Sequence, residues 1–496
     1  MGELSMNDIY SIQDIRSIEQ AAMPTPSSEW ALMFTAGSAV ANWIKSQYST
    51  EICVLVFCGV GNNGGDGLVA AYLAQAAGYQ VQVYLQGDPS KFSSTARIAY
   101  QNALDCAVQI CPFTSEILLN LDQHYIGIDA LLGIGYRGTL SEPLQDIIHQ
   151  INKLSIPILA VDLPSGLDPE TGCVNSIAIK ATHTLTFIAA KPGLFLGQAK
   201  DYTGPVDIYS LNISPELYVP YSPVMTIADK LQTPHRSKLS HKGKFGHLAI
   251  IGGQEGMVGA VILAAEGAYR MGAGKVTIIT QSSQAASAIL SCLPEAMIQI
   301  WKPGDNLTAL LEAKTMMILG PGLGQSEWSK ALFSKAIDYP LPKLVDADGL
   351  NLLAQSPRKL TNTILTPHPL EAARLLGRVD VSDIQTHRLE RILDLRARYG
   401  GVVILKGAHT LIATSDGRTW VCPFGNPKLA TAGSGDILTG MIAGLYCGGM
   451  AWDEAAVQGV VWHGVYGDRA ASRSPFPGIL AGDILVYTRP KMKSRE

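Results

Sequence analysis

Short apolar runs recur along the first half of the chain, and glycine-rich turns and helix-like segments separate them. These runs occupy residues 52–57, 81–85, 125–128, 157–161, 182–187 and 206–209. Two earlier stretches, residues 11–23 and 28–48, carry apolar residues at a spacing near 3.6, which predicts two helices before the first strand. Apolar strands that alternate with helices are typical of a parallel sheet covered on both faces. The first half is therefore predicted to be an α/β domain.

The alternation lapses in one segment near the middle of the chain. Residues 212–230 hold three prolines and no clear period, which is typical of a linker between domains. We therefore expect one domain over residues 1–211 and a second over residues 231–496.

The second half repeats the alternation of strands and helices. Its strands are predicted at residues 247–251, 275–280, 315–319, 343–345, 362–365 and 402–406. A hairpin is predicted at residues 410–414 and 418–422, and long helices at residues 434–446 and 452–470. The predicted fold is therefore α/β with two domains of similar size.

Composition favours an enzyme over a protein that binds nucleic acid or membranes. Of 496 residues, 47% are hydrophobic, and 38 Lys and Arg against 42 Asp and Glu leave a net charge of −4. That balance provides no positive surface for nucleic acid or anionic lipid. No apolar run approaches the ~18–20 residues that cross a bilayer, and the N-terminus is unlike a secretory signal. The eight cysteines form no CxxC pair, which fits a reduced compartment. We expect a soluble cytoplasmic homo-oligomer that acts on small molecules.

A glycine-rich segment, VFCGVGNNGGDG (residues 56–67), joins the first apolar run to the helix predicted around residues 68–77. Main-chain amides at such a junction, with a helix dipole behind them, favour an anion such as a phosphate. Residues 59–64 match the dinucleotide-binding pattern GxGxxG, and no Lys-Ser/Thr pair follows that would make a P-loop. Asp66 would repel a pyrophosphate, and Gln86 stands where a ribose-binding acid is expected, so hydride transfer is disfavoured. The alternative is a tight structural turn with a capping aspartate.

Two carboxylates follow later strands of the predicted parallel sheet. Asp129 begins the segment DALLGIG, and Asp162 lies in VDLPSGLD, each at the end of an apolar run. Because ligands of open parallel sheets bind beyond the carboxyl ends of the strands, Asn63, Asp129 and Asp162 are predicted to share one crevice. Such an oxygen-rich cluster suits a cation, with Asp162 left available as an acid or base. Taken singly, each aspartate is more often a cap or turn residue.

These motifs resemble those of the NAD(P)H-hydrate epimerase family. The segments GVGNNGGDG, DALLGIG and VDLPSGLDPETG carry the resemblance, which extends over residues 6–210. It implies a Rossmann-like three-layer domain that interconverts the two C6 epimers of hydrated NADH or NADPH, with a potassium ion in the site. By resemblance Asp162 contacts the substrate, and we expect it to transfer the proton. The implied potassium ligands are Asn63, Asp129 and Ser165, and the implied dinucleotide contacts are Asn62, Asn63, Gly64, Gly65, Asp66, Gly133, Ile134, Gly135, Tyr136, Arg137, Gly138 and Thr139.

The strongest motif of the second half is FGNPKLATAGSGDILTG, residues 424–440, in which GSG opens a long apolar helix. Free amides and the positive end of the helix converge there, which favours an anion. Asp436 lies in the first turn, where a carboxylate can take the proton of a hydroxyl that attacks a phosphoryl group. The alternative is an ordinary helix N-terminus with a favourable aspartate. The loop KGAHT, residues 406–410, follows an apolar run and is predicted to clasp a nucleotide.

Further loops are predicted to converge on this anion site. Glycine-rich turns follow apolar runs at residues 252–260 and 319–324, and residues 345–351 place an acid and an amide beyond another strand. His368 lies between two prolines at a strand–helix junction, which favours a functional role. No HExxH or similar spacing is present, so no structural zinc is expected.

The segments GPGLG, DADGLN, TPHPLEAARL, KGAHT and GSGD occur in the order of the ribokinase-like NAD(P)H-hydrate dehydratase family, which this half resembles over residues 231–488. The resemblance implies a ribokinase-like three-layer domain. One departure is Lys428, where relatives more often carry glycine, and its effect on loop packing stays open. The implied contacts are Ala260, Gly322, His368 and Asp436 to the hydrate, and Lys406, Gly407, Ala408, His409, Thr410 and Gly435 to the AMP portion of the nucleotide.

Both families on one chain resemble the fused bacterial repair enzymes, which implies a repair in two steps. The first domain would convert the R hydrate into the S hydrate. In the second, Asp436 would take the C6 hydroxyl proton while the β-phosphoryl of ADP transfers with Mg²⁺, and the ring nitrogen would then expel phosphate, leaving AMP. The bacterial resemblance alone favours ADP over ATP. Two alternatives are a ribokinase-class small-molecule kinase with a regulatory N-terminal dinucleotide-binding domain, and a non-catalytic dinucleotide sensor.

Overall fold

The computed structural model describes residues 5–113, 124–377 and 380–486. All eight cysteines are free thiols. Within the described ranges, no helix combines the length and the apolarity that a bilayer crossing requires.

The chain divides into two compact units, Met1–Thr226 and Ile227–Glu496. The predicted linker, residues 212–230, contains a 3-10 helix at Pro215–Tyr218 and a short strand. The domain boundaries given by the sequence stay predictions.

A parallel sheet forms the centre of the first unit. The elements in chain order are β1 (Asp8–Ile9), α1 (Ile12–Ala22), α2 (Pro26–Gln47), β2 (Cys53–Cys58), α3 (Asn62–Ala76), β3 (Gln80–Leu85), α4 (Ser94–Asp105), β4 (Gln109–Pro112), β5 (Tyr125–Ala130), α5 (Glu142–Lys153), β6 (Ile158–Val161), β7 (His183–Phe187), β8 (Val206–Tyr209) and β9 (Met225–Ile227). Seven strands pair in the order β4-β3-β2-β5-β6-β7-β8, all parallel, as the apolar runs predicted. The chain proceeds outward from β2 on one side and from β5 on the other. A ligand crevice is expected at this switch point.

Helix α3 starts earlier than the sequence predicted. The motif NNGGDG forms its first turns, with Gly61 as the N-cap, whereas a helix was expected only from residue 68. Glycine is a poor helix former, so the pattern favoured a loop there. The glycines are needed for packing, because a Cβ at Gly64 would lie 1.9 Å from the carbonyl oxygen of Gly59 and one at Gly65 would lie 2.6 Å from Met33.

The second unit contains a mixed sheet. Its elements are β10 (His247–Ile251), α6 (Val258–Met271), β11 (Lys275–Thr280), α7 (Ser283–Cys292), β12 (Met297–Ile300), α8 (Leu307–Leu311), β13 (Met316–Leu319), α9 (Glu327–Ala336), β14 (Lys343–Val345), α10 (Asp348–Gln355), β15 (Thr363–Leu365), α11 (Pro369–Leu375), α12 (Val381–Thr386), α13 (Arg388–Tyr399), β16 (Val402–Leu405), β17 (Leu411–Ala413), β18 (Thr419–Val421), α14 (Ser434–Cys447), α15 (Trp452–Arg473) and α16 (Ala481–Val486). The order is β12-β11-β10-β13-β14-β15-β16-β17-β18. Strands β10 to β16 pair with one another in parallel. Strand β17 pairs antiparallel with both β16 and β18, which confirms the predicted hairpin.

Besides the short strands β1 and β9, two strands at sheet edges were not predicted, β4 and β12. Their sequences, QICP and MIQI, have exposed or half-buried side chains at every position. An edge strand buries less of its surface than a central one, so it gives a weak apolar signal in the sequence. The central strands, which are buried, were predicted to within one or two residues.

Candidate active sites

A cavity of about 650 Å³ opens at the switch point of the first unit's sheet. The loops after β2 and β5, the first turns of α3 and one side of α1 line it. Asp162, after β6, lines it as well. The predicted dinucleotide contacts in its wall are Asn62, Asn63, Asp66, Gly133, Ile134, Gly135 and Tyr136.

The other predicted dinucleotide contacts lie outside this wall. Gly64 and Gly65 are buried in the packing of α3. Arg137, Gly138 and Thr139 continue the loop after β5, and the Tyr136 hydroxyl donates to the main-chain oxygen of Gly138. The structure therefore brings the start of this loop to the cavity and turns its later part away.

The predicted potassium ligands meet beneath the cavity. Asp129 is fully buried, and its Oδ1 accepts a hydrogen bond of 2.6 Å from the Ser165 hydroxyl while Oδ2 accepts one of 2.7 Å from the Ser165 amide. Asn63 donates from Nδ2 to the Leu132 oxygen at 2.8 Å, and its Oδ1 is buried without a partner in the described chain. Burial raises the pKa of Asp129 to about 6, and its hydrogen bonds oppose the rise. Leu132 links the two groups, because its oxygen accepts from Asn63 and its amide donates to the Ser165 hydroxyl at 2.9 Å.

Asp162 is held by a buried lysine that the sequence analysis did not single out. The Asp162 backbone is left-handed, with φ 67°, and its Oδ1 pairs with the Lys191 ammonium. Lys191 is 1% exposed and also donates to the Thr186 hydroxyl at 2.9 Å and the Phe187 oxygen at 2.7 Å. The Phe187 amide adds a bond of 3.1 Å to the same Asp162 oxygen. These contacts fix the carboxylate at the cavity wall.

Two more acids face Asp162 across the cavity wall, Asp66 on α3 and Glu19 on α1. Burial raises the pKa of Asp66 well above its usual range, and the charges of Asp162 and Glu19 raise it further. Burial likewise raises the pKa of Glu19, followed by the charge of Asp162. Glu29 and Arg16 line the same cavity. The crowding of acids in this wall favours a proton on Asp66.

The sequence held a weak signal for Lys191 and none for Glu19. Lys191 is the only charged residue among residues 184–199, directly after an apolar strand. In the sequence, Glu19 lies at a polar position of helix α1, and only the structure shows that it lines the cavity. Arg16, one turn earlier on α1, donates to the Ile134 oxygen at 2.9 Å and ties this helix to the loop after β5.

In the second unit, helix α14 presents an uncapped N-terminus. Gly433, with φ 90°, is its N-cap, and no side chain of the described residues caps the first-turn amides. Positive helix-end charge is therefore directed at the space in front of Gly435 and Asp436. The predicted anion site has the local structure that the motif implied.

Helix α6 lies against α14 with almost no side chain between their backbones. A Cβ at Gly440 would lie 2.0 Å from the Ala264 oxygen, and one at Gly444 would lie 2.4 Å from the Ala268 oxygen. The two helices are thus parallel and in register every four residues. Ala260, a predicted contact of the hydrate, lies in the first turn of α6.

Asp436 lies in a cluster of charged groups. Lys406 Nζ is 2.9 Å from Asp346 Oδ1 and 3.9 Å from Glu371 Oε2. A Cβ at Gly435 would lie 3.4 Å from that same ammonium, so the start of α14 approaches it closely. Burial raises the pKa of Asp436 to about 7, the Asp346 charge raises it further, and the Lys406 ammonium opposes the rise. Burial also raises the pKa of Glu371 to about 7.

Two loops predicted to converge here contact each other. The amide of Gln254 donates to the Gly322 oxygen at 2.9 Å, and Gly253 donates to the Pro321 oxygen at 3.0 Å. Gly322, with φ 57°, leaves no room for a side chain, since a Cβ there would lie 2.3 Å from the Met257 oxygen. The loop at residues 319–324 is therefore fixed against the start of α6.

His368 is the N-cap of α11. Its Nδ1 accepts from the Glu371 amide at 3.3 Å, and its own amide donates to Glu371 Oε2 at 2.8 Å. Burial lowers the pKa of His368, and the Lys406 charge lowers it further. A neutral ring that accepts at Nδ1 carries its proton on Nε2. The proline-flanked histidine is thus a structural cap whose outer nitrogen can still donate.

The predicted nucleotide loop begins at Lys406 in this cluster, whereas the unusual lysine, Lys428, contacts a different element. Residues 406–410 follow β16, and buried Arg388 of α13 donates to several of their main-chain oxygens. Lys428 Nζ donates to the oxygens of Ala471 and Ser474, each at 3.1 Å, at the C-terminal end of α15. Cations near a helix C-terminus are favourable, so Lys428 holds that helix end and not the glycine motif.

No group of three or more His, Cys, Asp and Glu side chains is placed to hold a metal ion in the described part of the chain.

Comparison with known proteins links each unit to a family. Residues 248–489 match the family described as NAD(P)H-hydrate dehydratase, and residues 29–193 match the YjeF-related protein N-terminus.

Relatives match over nearly the whole chain. The bifunctional NAD(P)H-hydrate repair enzyme of Coxiella burnetii is 39% identical over 98% of this chain and 99% of its own length. The bifunctional enzyme of Escherichia coli with the same name is also 39% identical, over 96% of this chain and 92% of its own. Among solved structures, the Bacillus subtilis ADP/ATP-dependent NAD(P)H-hydrate dehydratase co-crystallised with ATP and Mg²⁺ is 33% identical, covers 51% of this chain and 91% of its own, and has a TM-score of 0.47.

Proposed function

This chain belongs to the family of bifunctional NAD(P)H-hydrate repair enzymes, and we propose that its two units act in sequence at C6 of the hydrated nicotinamide ring. It is an NAD(P)H-hydrate epimerase joined to an ADP- or ATP-dependent NAD(P)H-hydrate dehydratase. In the proposal, the first unit converts the R hydrate of NADH or NADPH into the S hydrate. The second unit dehydrates the S hydrate with ADP. The half-buried Asp436 carboxyl beside the uncapped start of α14 carries this proposal.

Epimerisation needs one proton given and one proton taken at C6. The protonated hydroxyl leaves as water while the ring nitrogen supplies its electron pair, and water then adds to the opposite face and loses a proton. Asp162, whose carboxylate Lys191 holds in place, is the proposed base for the incoming water. Asp66, which its surroundings keep protonated, is the neighbouring carboxyl that can supply the other proton. Asn62, Asn63 and the loop from Gly133 to Tyr136 would hold the dinucleotide.

The cluster beneath this cavity fits a potassium ion. Asn63 Oδ1 is buried with no partner in the described chain, and Leu132 connects Asn63 to the Ser165 hydroxyl, which donates to Asp129. A single carboxylate with neutral oxygens suits a monovalent cation that exchanges its water shell for protein oxygens. A bound potassium ion would supply positive charge to a phosphate or hydroxyl of the substrate. Asn63, Asp129 and Ser165 would hold it.

Dehydration requires the poor C6 hydroxyl leaving group to become a phosphate. Asp436 takes the hydroxyl proton as the oxygen attacks the β-phosphorus of ADP, and the phosphorus–oxygen bond to AMP breaks. The first-turn amides of α14 stabilise the charge on the transferred phosphoryl oxygens. The ring nitrogen then expels phosphate and C5 loses a proton, which restores NADH or NADPH. Ala260, Gly322 and His368 would contact the hydrate, and residues 406–410 with Gly435 would hold the AMP portion.

The acids around Asp436 fit a magnesium ion only together with a nucleotide. Asp346 and Glu371 are already engaged with Lys406, which leaves Asp436 and Asp348 nearby. Magnesium in proteins is often held by one or two carboxylates plus substrate phosphates. When bound, it would neutralise charge on the phosphates.

Dehydration of pure S hydrate tests this function. With Mg²⁺ and ADP, the purified chain should restore the dihydronicotinamide absorbance and release one AMP and one phosphate per turnover, with ATP assayed in parallel. A lasting phosphorylated dinucleotide would instead identify a kinase. Absence of any absorbance recovery with either nucleotide would contradict the proposal.

A further inference from the structure

Arg388 places a positive charge inside the second unit, directly behind the predicted nucleotide loop. It is the first residue of α13 and is only 2% exposed. In the described chain no carboxylate forms an ion pair with it, and its Nε has no hydrogen-bond partner. Burial lowers the pKa of Arg388 to about 10. A buried charge without a counter-ion is costly, so its neighbours must explain its presence.

Those neighbours are main-chain oxygens of one loop. Nη2 donates to the oxygens of Leu405 at 3.1 Å, Lys406 at 3.4 Å and His409 at 3.4 Å. Nη1 donates to Gln385 Oε1 at 3.1 Å. A planar guanidinium offers several donors in one fixed fork, which a lysine ammonium cannot reproduce.

These bonds orient the peptide planes of the loop. In a trans peptide the N–H group points opposite to the preceding C=O group. With the oxygens of Lys406 and His409 turned toward Arg388, the amides of Gly407 and Thr410 point away from it. The loop therefore presents amide donors on the side opposite the guanidinium.

The loop backbone is shaped to fit the guanidinium. Gly407 has φ 144°, and a Cβ there would lie 2.8 Å from Arg388 Nη1. His409 is left-handed at φ 53°. Such conformations persist only where the surroundings hold them, and Arg388 contacts the oxygens on both sides of this turn.

We propose that Arg388 is a positioning residue for the nucleotide, holding residues 405–409 so that the amides of Gly407 and Thr410 face the AMP portion. The inference rests on the proposed function, in which this loop binds the nucleotide. Arg388 is buried behind the loop, so its main effect is expected on binding of the nucleotide and not on binding of the hydrate.

The test compares Arg388→Lys and Arg388→Met with Arg398→Lys, an exposed arginine on the same helix. Kinetics on the S hydrate with Mg²⁺ give KM for ADP, KM for the hydrate and kcat, and calorimetry gives Kd for ADP. Both Arg388 variants should raise KM and Kd for ADP at least about tenfold, since bonds from a charged donor are lost. KM for the hydrate should change less than twofold, and Arg398→Lys should match the wild type.

A second variant approaches the same contact from the loop. Gly407→Ala, which keeps the arginine at position 388, should raise KM for ADP. The Cβ of the new alanine would displace the guanidinium of Arg388. An unchanged KM for ADP in Arg388→Lys and Gly407→Ala, or an equal rise in both KM values, would overturn the inference. If the wild type itself fails to dehydrate the S hydrate, the proposed function fails instead.

Discussion

Asp436 has a charge that depends on pH near neutrality, because it is buried among other carboxylates. Its pKa is raised to about 7 first by burial and then by the Asp346 charge, while Lys406 opposes the rise. As the proposed base it must be ionised. The rate of dehydration should therefore depend on the ionisation of Asp436, whose pKa lies near neutral pH.

We predict that kcat/KM for the S hydrate falls about tenfold per pH unit below a pH of about 7 and is flat above it. Lys406→Met should move this limb to higher pH, because the opposing ammonium is removed. Rates at saturating ADP between pH 5.5 and 8.5 would measure both. A profile with no acid limb in this range would exclude Asp436 as the base.

Lys191 provides the corresponding test in the first unit. Lys191→Met should lower the rate of R-to-S conversion at least about a hundredfold, because Asp162 loses the donor that orients it. Exposed Lys180→Met is the matched control and should keep the wild-type rate. Epimerisation can be followed by chromatography of the two hydrates. The rate at which each variant dehydrates the S hydrate corrects for the amount of folded protein. Normal epimerisation by Lys191→Met would remove the pair from the mechanism.

At this scale the sequence predicted the residues that stand next to a strand or helix end and missed those that reach the site through the fold. Asp162 and Asp436 each lie within a recognisable motif, so the local sequence pattern was sufficient to select them. Lys191 and Arg388 are both buried cations. Lys191 pairs with a carboxylate that is distant in the sequence, and Arg388 donates to main-chain oxygens. No spacing rule reports such contacts. The roles of the selected residues stay predictions.

At the scale of elements, glycines decide where two helices can start. In α3, Gly64 lies against Gly59, and in α14, Gly440 lies against Ala264. These contacts bring backbone onto backbone and so fix how each helix packs: Gly64 in the first turn of α3, and Gly440 in the second turn of α14. The sequence predicted α14 correctly and placed α3 too late, because glycine also weakens the helical signal.

Gly64→Ala is expected to destabilise the first unit by about 2 kcal/mol or more, since its Cβ would lie 1.9 Å from the Gly59 oxygen. Gly61→Ala is the matched control, because nothing lies within 4 Å of its Cβ. The urea midpoint for loss of epimerase activity measures the difference. Equal midpoints for the two variants would mean that the turn relaxes freely.

Strand prediction shows the same dependence on burial. The central strands of both sheets are apolar and were found, including the antiparallel hairpin of β17 and β18. The edge strands β4 and β12 were not, because half of an edge strand faces solvent and its polar residues hide the pattern.

At the scale of the whole molecule, two different α/β units lie on one chain, each with a site at the ends of its strands. The relatives from Coxiella burnetii and Escherichia coli match through both halves, which confirms both resemblances seen in the motifs. The kinase and sensor alternatives assigned no catalytic role to the first half. A dehydratase that accepts only the S hydrate can also repair the R hydrate when an epimerase on the same chain converts R into S.

The measurement that tests this account most directly is repair of an R/S mixture of NADH hydrate with Mg²⁺ and ADP, followed by dihydronicotinamide absorbance. The wild type should convert the whole mixture. Asp162→Ala should convert the S fraction at the normal rate and then slow to spontaneous epimerisation, whereas Asp436→Asn should restore no absorbance yet still equilibrate R and S. Mixing the two variants should recover full conversion. Full-rate repair by Asp436→Asn alone, or loss of both activities in either variant, would contradict the assignment of one step to each unit.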